Sequence, residues 1–209
     1  MTRNWLKRSM MTFTVLVALA ALPAAAPSKP EVVPEDISLA GQLLVASPEI
    51  GDARFDRTVV LLLRHNRSGA LGIVINRPIE EQPLASLMEA IGDEAAGVEG
   101  RVLLFAGGPV EPEVGFILHS VDYRRAETLD IDEHVAVTST HEILSDIAHK
   151  KGPAKTLIAF GYSGWGPGQL ESELAQHGWF TTPADPKLIF DDDREKVWQE
   201  ALARRTRPL

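Results

Sequence analysis

Cysteine is absent from the 209 residues. That excludes disulfides, thiolate nucleophiles, cysteine-ligated zinc and a lipidated cysteine anchor, and it leaves no compartment signal in cysteine usage. Basic residues are scarce: 21 Lys and Arg stand against 29 Asp and Glu, for a formal charge of −8. The first 26 residues take Arg3, Lys7 and Arg8 and none of the acidic residues, so the body is more acidic still. Phosphate neutralisation by clustered Lys and Arg supplies most nucleic-acid affinity, so direct DNA binding is not expected of such a body. Long apolar runs are also lacking. Met10 to Leu22, broken only by Thr12 and Thr14, falls short of the roughly 20 residues that cross a bilayer as a helix. The six histidines never show the H-E-x-x-H spacing of a zinc protease helix, and no metal or other cofactor is expected.

The basic start followed by that apolar run has the order of a secretory signal, with Pro23-Ala24-Ala25-Ala26 able to host cleavage. Residues 1–26 are accordingly read as a signal-like segment, 27–36 as a proline-rich linker and 37–209 as one domain. The expected location is periplasmic, with membrane contact only transient through the N-terminal segment.

In the body, Leu39 to Ala46 and Thr58 to His65 read as strands. The unbroken Val59-Val60-Leu61-Leu62-Leu63 suits a strand buried on both faces. Asn66-Arg67-Ser68-Gly69 is a turn into a third strand, Ala70 to Asn76, which makes a hairpin ended by Arg77-Pro78. Ser86 to Ile91 reads as a short helix, and Arg101 to Phe105, Gly115 to His119, His134 to Thr138 and Thr156 to Phe160 as strands. Ser139-Thr140-His141-Glu142 matches a capping box opening a helix to about His149. A helix from Pro167 to about Gln176, closed by Gly178, and a last one from Asp191-Asp192-Asp193 that buries Val197, Trp198, Ala201 and Leu202 complete the set. Strands and helices without strict alternation predict α+β.

The stretch Gly161-Tyr162-Ser163-Gly164-Trp165-Gly166-Pro167-Gly168 between strand and helix has the form of an anion cradle. Pro167 stands where a phosphate loop needs lysine, and Trp165 where a nucleophile elbow around Ser163 needs glycine, so both motifs fail. Glycines that permit tight backbone turns around packed Tyr162 and Trp165 are the plainer account. His65 at a strand end and His119 beside Ser120 allow a Ser–His arrangement only if the fold brings them together. Trp165 and Trp179 are candidate anchors for a partner protein.

Several stretches, in order over about residues 39–190, resemble the AlgH/YqgE family of bacterial proteins. They are Gly41-Gln42-Leu43-Leu44-Val45-Ala46; His65-Asn66 with Gly69 to Pro78; Gly107-Gly108-Pro109-Val110 with Gly115-Phe116-Ile117-Leu118-His119; and Gly161 to Trp165 with Gly168-Gln169-Leu170-Glu171, Glu173 and Trp179. The resemblance implies a single α+β domain with a mixed, partly barrel-like β-sheet and flanking helices. It implies no agreed catalytic residues. The family's molecular function is not established, although some members are labelled regulators for a link to alginate production. Its proteins usually begin near the first strand and look cytoplasmic, so residues 1–36 are extra and cytoplasmic residence is the alternative to export.

The function expected is that of a non-enzymatic binding or regulatory protein with a protein partner. Its contact residues would be His65, Asn66, His119, Gly161, Ser163, Gly164 and Trp165, with no catalytic residues assigned. The alternatives are a hydrolase or transferase using the glycine-rich loop as an anion site, and then a transcriptional regulator.

Overall fold

A computed structural model describes residues 38–190 and 193–206. The signal-like segment, the linker and the Asp191-Asp192 pair lie outside them. The strands are β1 (Gln42–Ala46), β2 (Val59–Asn66), β3 (Gly69–Val74), β4 (Pro78–Pro83), β5 (Arg101–Ala106), β6 (Val110–Ser120), β7 (Leu129–Asp130), β8 (Val135–Thr138), β9 (Thr156–Trp165) and β10 (Trp179–Pro183). The helices are α1 (Leu84–Ile91), α2 (Glu142–Ala148), α3 (Gln169–Ala175), α4 (Pro186–Phe190) and α5 (Arg194–Ala203). The strands form one curled half-barrel sheet in the order β10-β1-β2-β3-β9-β6-β8-β7, with β5 branching from β9 and β4 paired to the far side of β5. Every pairing is antiparallel except β5 with β9. The α+β architecture expected from the residues and the partly barrel-like sheet implied by the resemblance are both observed.

Strand period 2 divides the apolar residues between two cores. Leu43, Val45, Val59, Leu61, Ile73, Leu118, Val135 and Leu157 point to the inner face, where Leu188, Ile189, Val197 and Ala201 of α4 and α5 cover them. Leu44, Ala46, Val60, Leu62, Ala70 and Val74 point outward and are covered by Leu170 of α3 with Trp165 and Trp179. The unbroken apolar run of β2 thus serves both sides of the sheet. A third cluster joins α1 and α2 to β5, β6 and β9 through Leu87, Met88, Leu104, Ile143 and Ile158.

The β2–β3 hairpin forms as the sequence predicts, with Asn66 opposite Gly69. Several local expectations need correction. The capping box is not formed: α2 opens at His141, without a side-chain cap, two residues after Ser139. Helix α3 opens at Gly168, in the left-handed region, so Pro167 lies outside it. Left-handed His177 (φ 58°) follows that helix, and the Gly178 N–H bonds back to the Glu173 carbonyl. Strands β4, β7 and β10 and helix α4 are additional to the sequence reading. Prolines bound β4 and its residues are mostly exposed, which suits an edge strand more than any apolar pattern would reveal.

The largest correction concerns the glycine-rich stretch. Strand β9 does not end at Phe160 but runs on to Trp165, with Ser163, Gly164 and Trp165 paired to Gly72, Leu71 and Ala70 of β3. Gly107 and Gly108 lie flat against it. A Cβ on Gly107 would stand 2.3 Å from the Gly161 carbonyl oxygen, and one on Gly108 2.1 Å from the Tyr162 carbonyl carbon. Gly161 has φ 74°, and its own Cβ would meet the Gly108 oxygen at 2.5 Å. These glycines let two backbone segments touch where the strand neighbours of β9 change.

Candidate functional site: an aromatic cleft over α3

The residues proposed for contact do not gather at one place. Ser163 is fully buried and its hydroxyl has no partner among the described residues. Gly161 is spent on the Gly108 crossing. Asn66 makes a turn, its Oδ1 accepting from the Ser68 N–H at 2.8 Å. The imidazole of His65 accepts from the Leu39 N–H at Nδ1 (3.0 Å) and therefore donates from Nε2 to Glu171 of α3 (2.9 Å). Both ring nitrogens are thus committed to holding chain segments together. The backbone N–H of Glu171, with His65, keeps that carboxyl below the usual carboxylate range.

His119 is fully buried, with Nε2 on the Thr138 hydroxyl and Nδ1 on the Ser120 carbonyl, each at 2.9 Å. Thr138 in turn meets the Thr128 hydroxyl at 2.8 Å. Burial pushes the imidazole below its ordinary value, outweighing the Ser120 carbonyl and nearby carboxylates. Its ring stands edge-on to Tyr123, whose hydroxyl donates to Asp146 (2.6 Å), and Arg125 closes on the same carboxylate. The Tyr123 hydrogen bond, aided by Arg125, holds Asp146 low. The one hydroxyl–imidazole pair among these contacts, Thr138 with His119, is fully buried on both sides.

Gly164 and Trp165 do share a site, and with them come residues that sequence reasoning passed over. A cleft of about 470 Å³ is lined by Glu49, Asp52, Arg54, Phe55, Gln169 and Glu173, and also by Gly164, Trp165, Gln176 and Trp179. Its floor is three rings: Trp165 and Trp179 meet at 5.9 Å edge to face, and Phe55 lies 5.3 Å from Trp179 and 6.5 Å from Trp165. The tryptophans are only 6% and 3% exposed. One oxygen of Glu173 accepts both indole N–H groups, at 2.9 and 2.8 Å, while the other accepts from Gln169 at 2.8 Å. Gln169 also accepts the Gly166 N–H at 3.1 Å.

Helix α3 positions all this. Glu173 reaches the indoles and Glu171 holds His65, so one short helix ties the cleft to the entry of β1. Asp52 caps the 3-10 turn Ala53–Phe55 and grips Arg54 at 2.6 Å, and Arg54 is what lowers the Asp52 carboxyl. The Arg54 guanidinium carbon lies 5.9 Å from the Phe55 ring centre. The sequence signals for the cleft were its pair of tryptophans and the stretch from Gly164 to Glu173 that carries the family resemblance. Glu49, Asp52 and Phe55 come from the connection between β1 and β2, and Glu173 from α3 more than a hundred residues later. The lining holds three carboxylates, one of them paired with Arg54, against that one guanidinium.

Among the described residues there is no group of three or more His, Asp and Glu able to hold a metal ion, and no helix is long and apolar enough to cross a membrane.

Residues 43–208 match the family described as AlgH-like. A UPF0301 protein of Jannaschia sp. is 44% identical over 166 residues, covering 78% of this chain and 86% of the relative. One of Caulobacter vibrioides is 43% identical over 168 residues, with 79% and 86% covered. The solution structure of the AlgH protein from Pseudomonas aeruginosa superposes with a TM-score of 0.66 at 36% identity, covering 86% of this chain and 92% of that one. A crystal structure from Corynebacterium diphtheriae shares the fold at 20% identity, with a TM-score of 0.62 over 80% of this chain and 87% of that one.

Proposed function

From the premise that the chain belongs to the AlgH-like family, whose molecular function is not established, we propose that it is a non-enzymatic binding protein. Its contact surface is the cleft over Trp165 and Trp179, and its ligand is a basic side chain of a partner protein. The observation that carries the reading is a 470 Å³ cleft combining an aromatic floor with an excess of carboxylates. Aromatic faces and anionic rims attract Lys and Arg together, by ring quadrupole and by Coulomb complementarity. Arg54 already sits near the Phe55 ring in that way. The same reading is supported by His65, whose Nδ1 lone pair already accepts the Leu39 N–H, and by His119, whose imidazole and Thr138 partner are both fully buried away from any substrate.

The cleft belongs to the binder itself, so regulation would act through occupancy of it and not through DNA. The test is affinity capture from the native host with wild type and with two rim variants, Glu49→Lys and Gln176→Lys. Both positions are exposed and neither carries a core contact. A partner retained by wild type and lost by both variants is the expected result. Capture indifferent to both substitutions, or a turnover activity that maps to one side chain, overturns the proposal.

A further inference from the structure

The inner face of the half-barrel is filled at one end only. Helices α4 and α5 cover it where β2 begins, with the Trp198 indole donating to the Ala46 carbonyl at 2.8 Å and Arg57 over the Trp198 ring. At the opposite end the inward-facing positions continue beyond the last covered layer. Leu63 follows Leu61, Leu71 precedes Ile73, Phe116 precedes Leu118, and Val137 follows Val135. These residues, with Leu129 at the lip, line an open well of about 300 Å³. Leu129 is 56% exposed, one of two large apolar side chains in the described residues more than half open to solvent. Mouths of β-barrels are favoured places for small ligands, and this volume stands at the bottom of the usual range of roughly 300–1,000 Å³. That room suits one compact apolar group and excludes a long acyl chain.

Two opposite charges flank the well, Arg64 and Glu127. Neither makes an ion pair or a side-chain hydrogen bond among the described residues, although ion pairs form at many other places on this surface. A register shift in β2 between Leu62 and Arg64 brings Arg64 opposite Leu71, so the guanidinium shares the rim with the inward-facing residues. Tyr162 packs edge-on to Phe116 behind the well. Burial raises its hydroxyl, with Glu111 adding to the effect and Arg64 opposing it, which places Arg64 near this wall.

We infer that the barrel mouth is a second ligand site, distinct from the tryptophan cleft, and that it binds a free apolar α-amino acid. The side chain enters the well of Leu63, Leu71, Phe116 and Val137, the carboxylate meets Arg64, and the ammonium meets Glu127. Guanidinium–carboxylate contacts are the strong, directional ones, and a zwitterion satisfies both flanking charges at once where a fatty acid or an amine would leave one unused.

The test is a heteronuclear NMR titration of the purified full chain with L-phenylalanine and L-leucine. Glycine, N-acetyl-L-phenylalanine and L-phenylalanine amide serve as probes lacking the side chain, the free ammonium and the carboxylate. Saturable shifts are expected at Leu71, Phe116 and Val137, and each defective probe should bind about tenfold more weakly or worse. Arg64→Gln and Glu127→Gln are exposed substitutions that spare the core, and each should weaken phenylalanine by the same factor. Absence of saturation up to about 10 mM, equal binding of glycine, or indifference to Arg64→Gln overturns the assignment. So does a concentration-dependent dimer abolished by Leu129→Glu, which would make the mouth an interface between copies of this chain.

Discussion

Replacing Glu173 by alanine tests how the cleft is built. The carboxylate accepts from two indoles and one amide at 2.8 to 2.9 Å, and the indole N–H is a donor with no other use. A buried donor left without a partner costs about 1–3 kcal/mol, and a hydrogen bond to a charged group contributes about 1.5–3 kcal/mol. Glu173 itself is only half-buried and borders the cleft, so water can replace part of what is lost, and the lower end of each range applies. Two indoles then give about 2–3 kcal/mol of destabilisation for Glu173→Ala. For a domain of this size, 1 kcal/mol corresponds to about 2–4 °C in melting temperature. Glu173→Gln keeps one oxygen for the indoles but turns an amide N–H toward Gln169, so it should lose less, about 1–2 kcal/mol. Urea unfolding followed by tryptophan fluorescence reads both the energy and the environment of Trp165 and Trp179. A change below about 0.5 kcal/mol for Glu173→Ala, or a Gln variant worse than Ala, would refute the idea that this carboxylate holds the tryptophan pair.

Gly108→Ala should destabilise by about 3 kcal/mol or more, because its Cβ would overlap the Tyr162 backbone at 2.1 Å, while Gly51→Ala, with nothing within 4 Å, should be neutral in the same denaturant assay. Burial lowers His119 below its ordinary value near 6.5, so the unfolded chain takes up the proton first. The stability linked to it is present above pH 6.5 and declines as pH falls from there toward the depressed folded value. An NMR titration should accordingly place the midpoint of this imidazole below that of an unfolded histidine, and a midpoint at or above the ordinary value would contradict the burial. Asp146→Asn removes the common partner of Tyr123 and Arg125 and should cost about 1–2 kcal/mol, lost as well by acidifying wild type through the lowered Asp146 value. The export reading of residues 1–26 predicts a periplasmic chain starting near residue 25–27, checked by intact mass of fractionated cells. A full-length or Met10/Met11-started chain in the cytoplasm would refute it.

Elements whose burial has a simple period were legible in the residues. The β2–β3 hairpin needed only two apolar runs and a turn, and α5 only Val197 and Ala201 one turn apart. What escaped were elements defined by partners far away in sequence. Strand β10 exists because β1 offers an edge to Trp179 through Pro183, and nothing local in Trp-Phe-Thr-Thr-Pro announces that pairing. Helix α2 shows the converse: Ser139 and Glu142 have the right spacing for a cap, but β8 holds the chain extended to Thr138 and the helix starts too late to use it. Of the contact residues named from sequence, Gly164 and Trp165 reach the cleft. Their neighbour Phe55 arrives by folding and carries no motif, and Glu173, part of the family-like stretch, gave no sign that it would hold the indoles.

The glycine-rich stretch shows why a sequence pattern can suggest chemistry while the physics is architectural. A phosphate loop and a strand crossing both need residues without a Cβ beside a free backbone, and the two are indistinguishable by spacing. They differ in what the bare backbone faces. At Gly107, Gly108 and Gly161 it faces other backbone, within distances that leave no room for a methyl group, and the Gly107 N–H is already given to the Phe160 carbonyl at 2.7 Å. An anion cradle requires those N–H groups to remain available. The consequence of the crossing lies a few residues on: because β9 is carried past Gly161 to pair with β3, Trp165 comes to rest against Trp179 and Glu173. The glycines therefore bear on binding through the placement of the cleft floor, and a substitution among them should damage ligand capture only in proportion to the fold it disrupts.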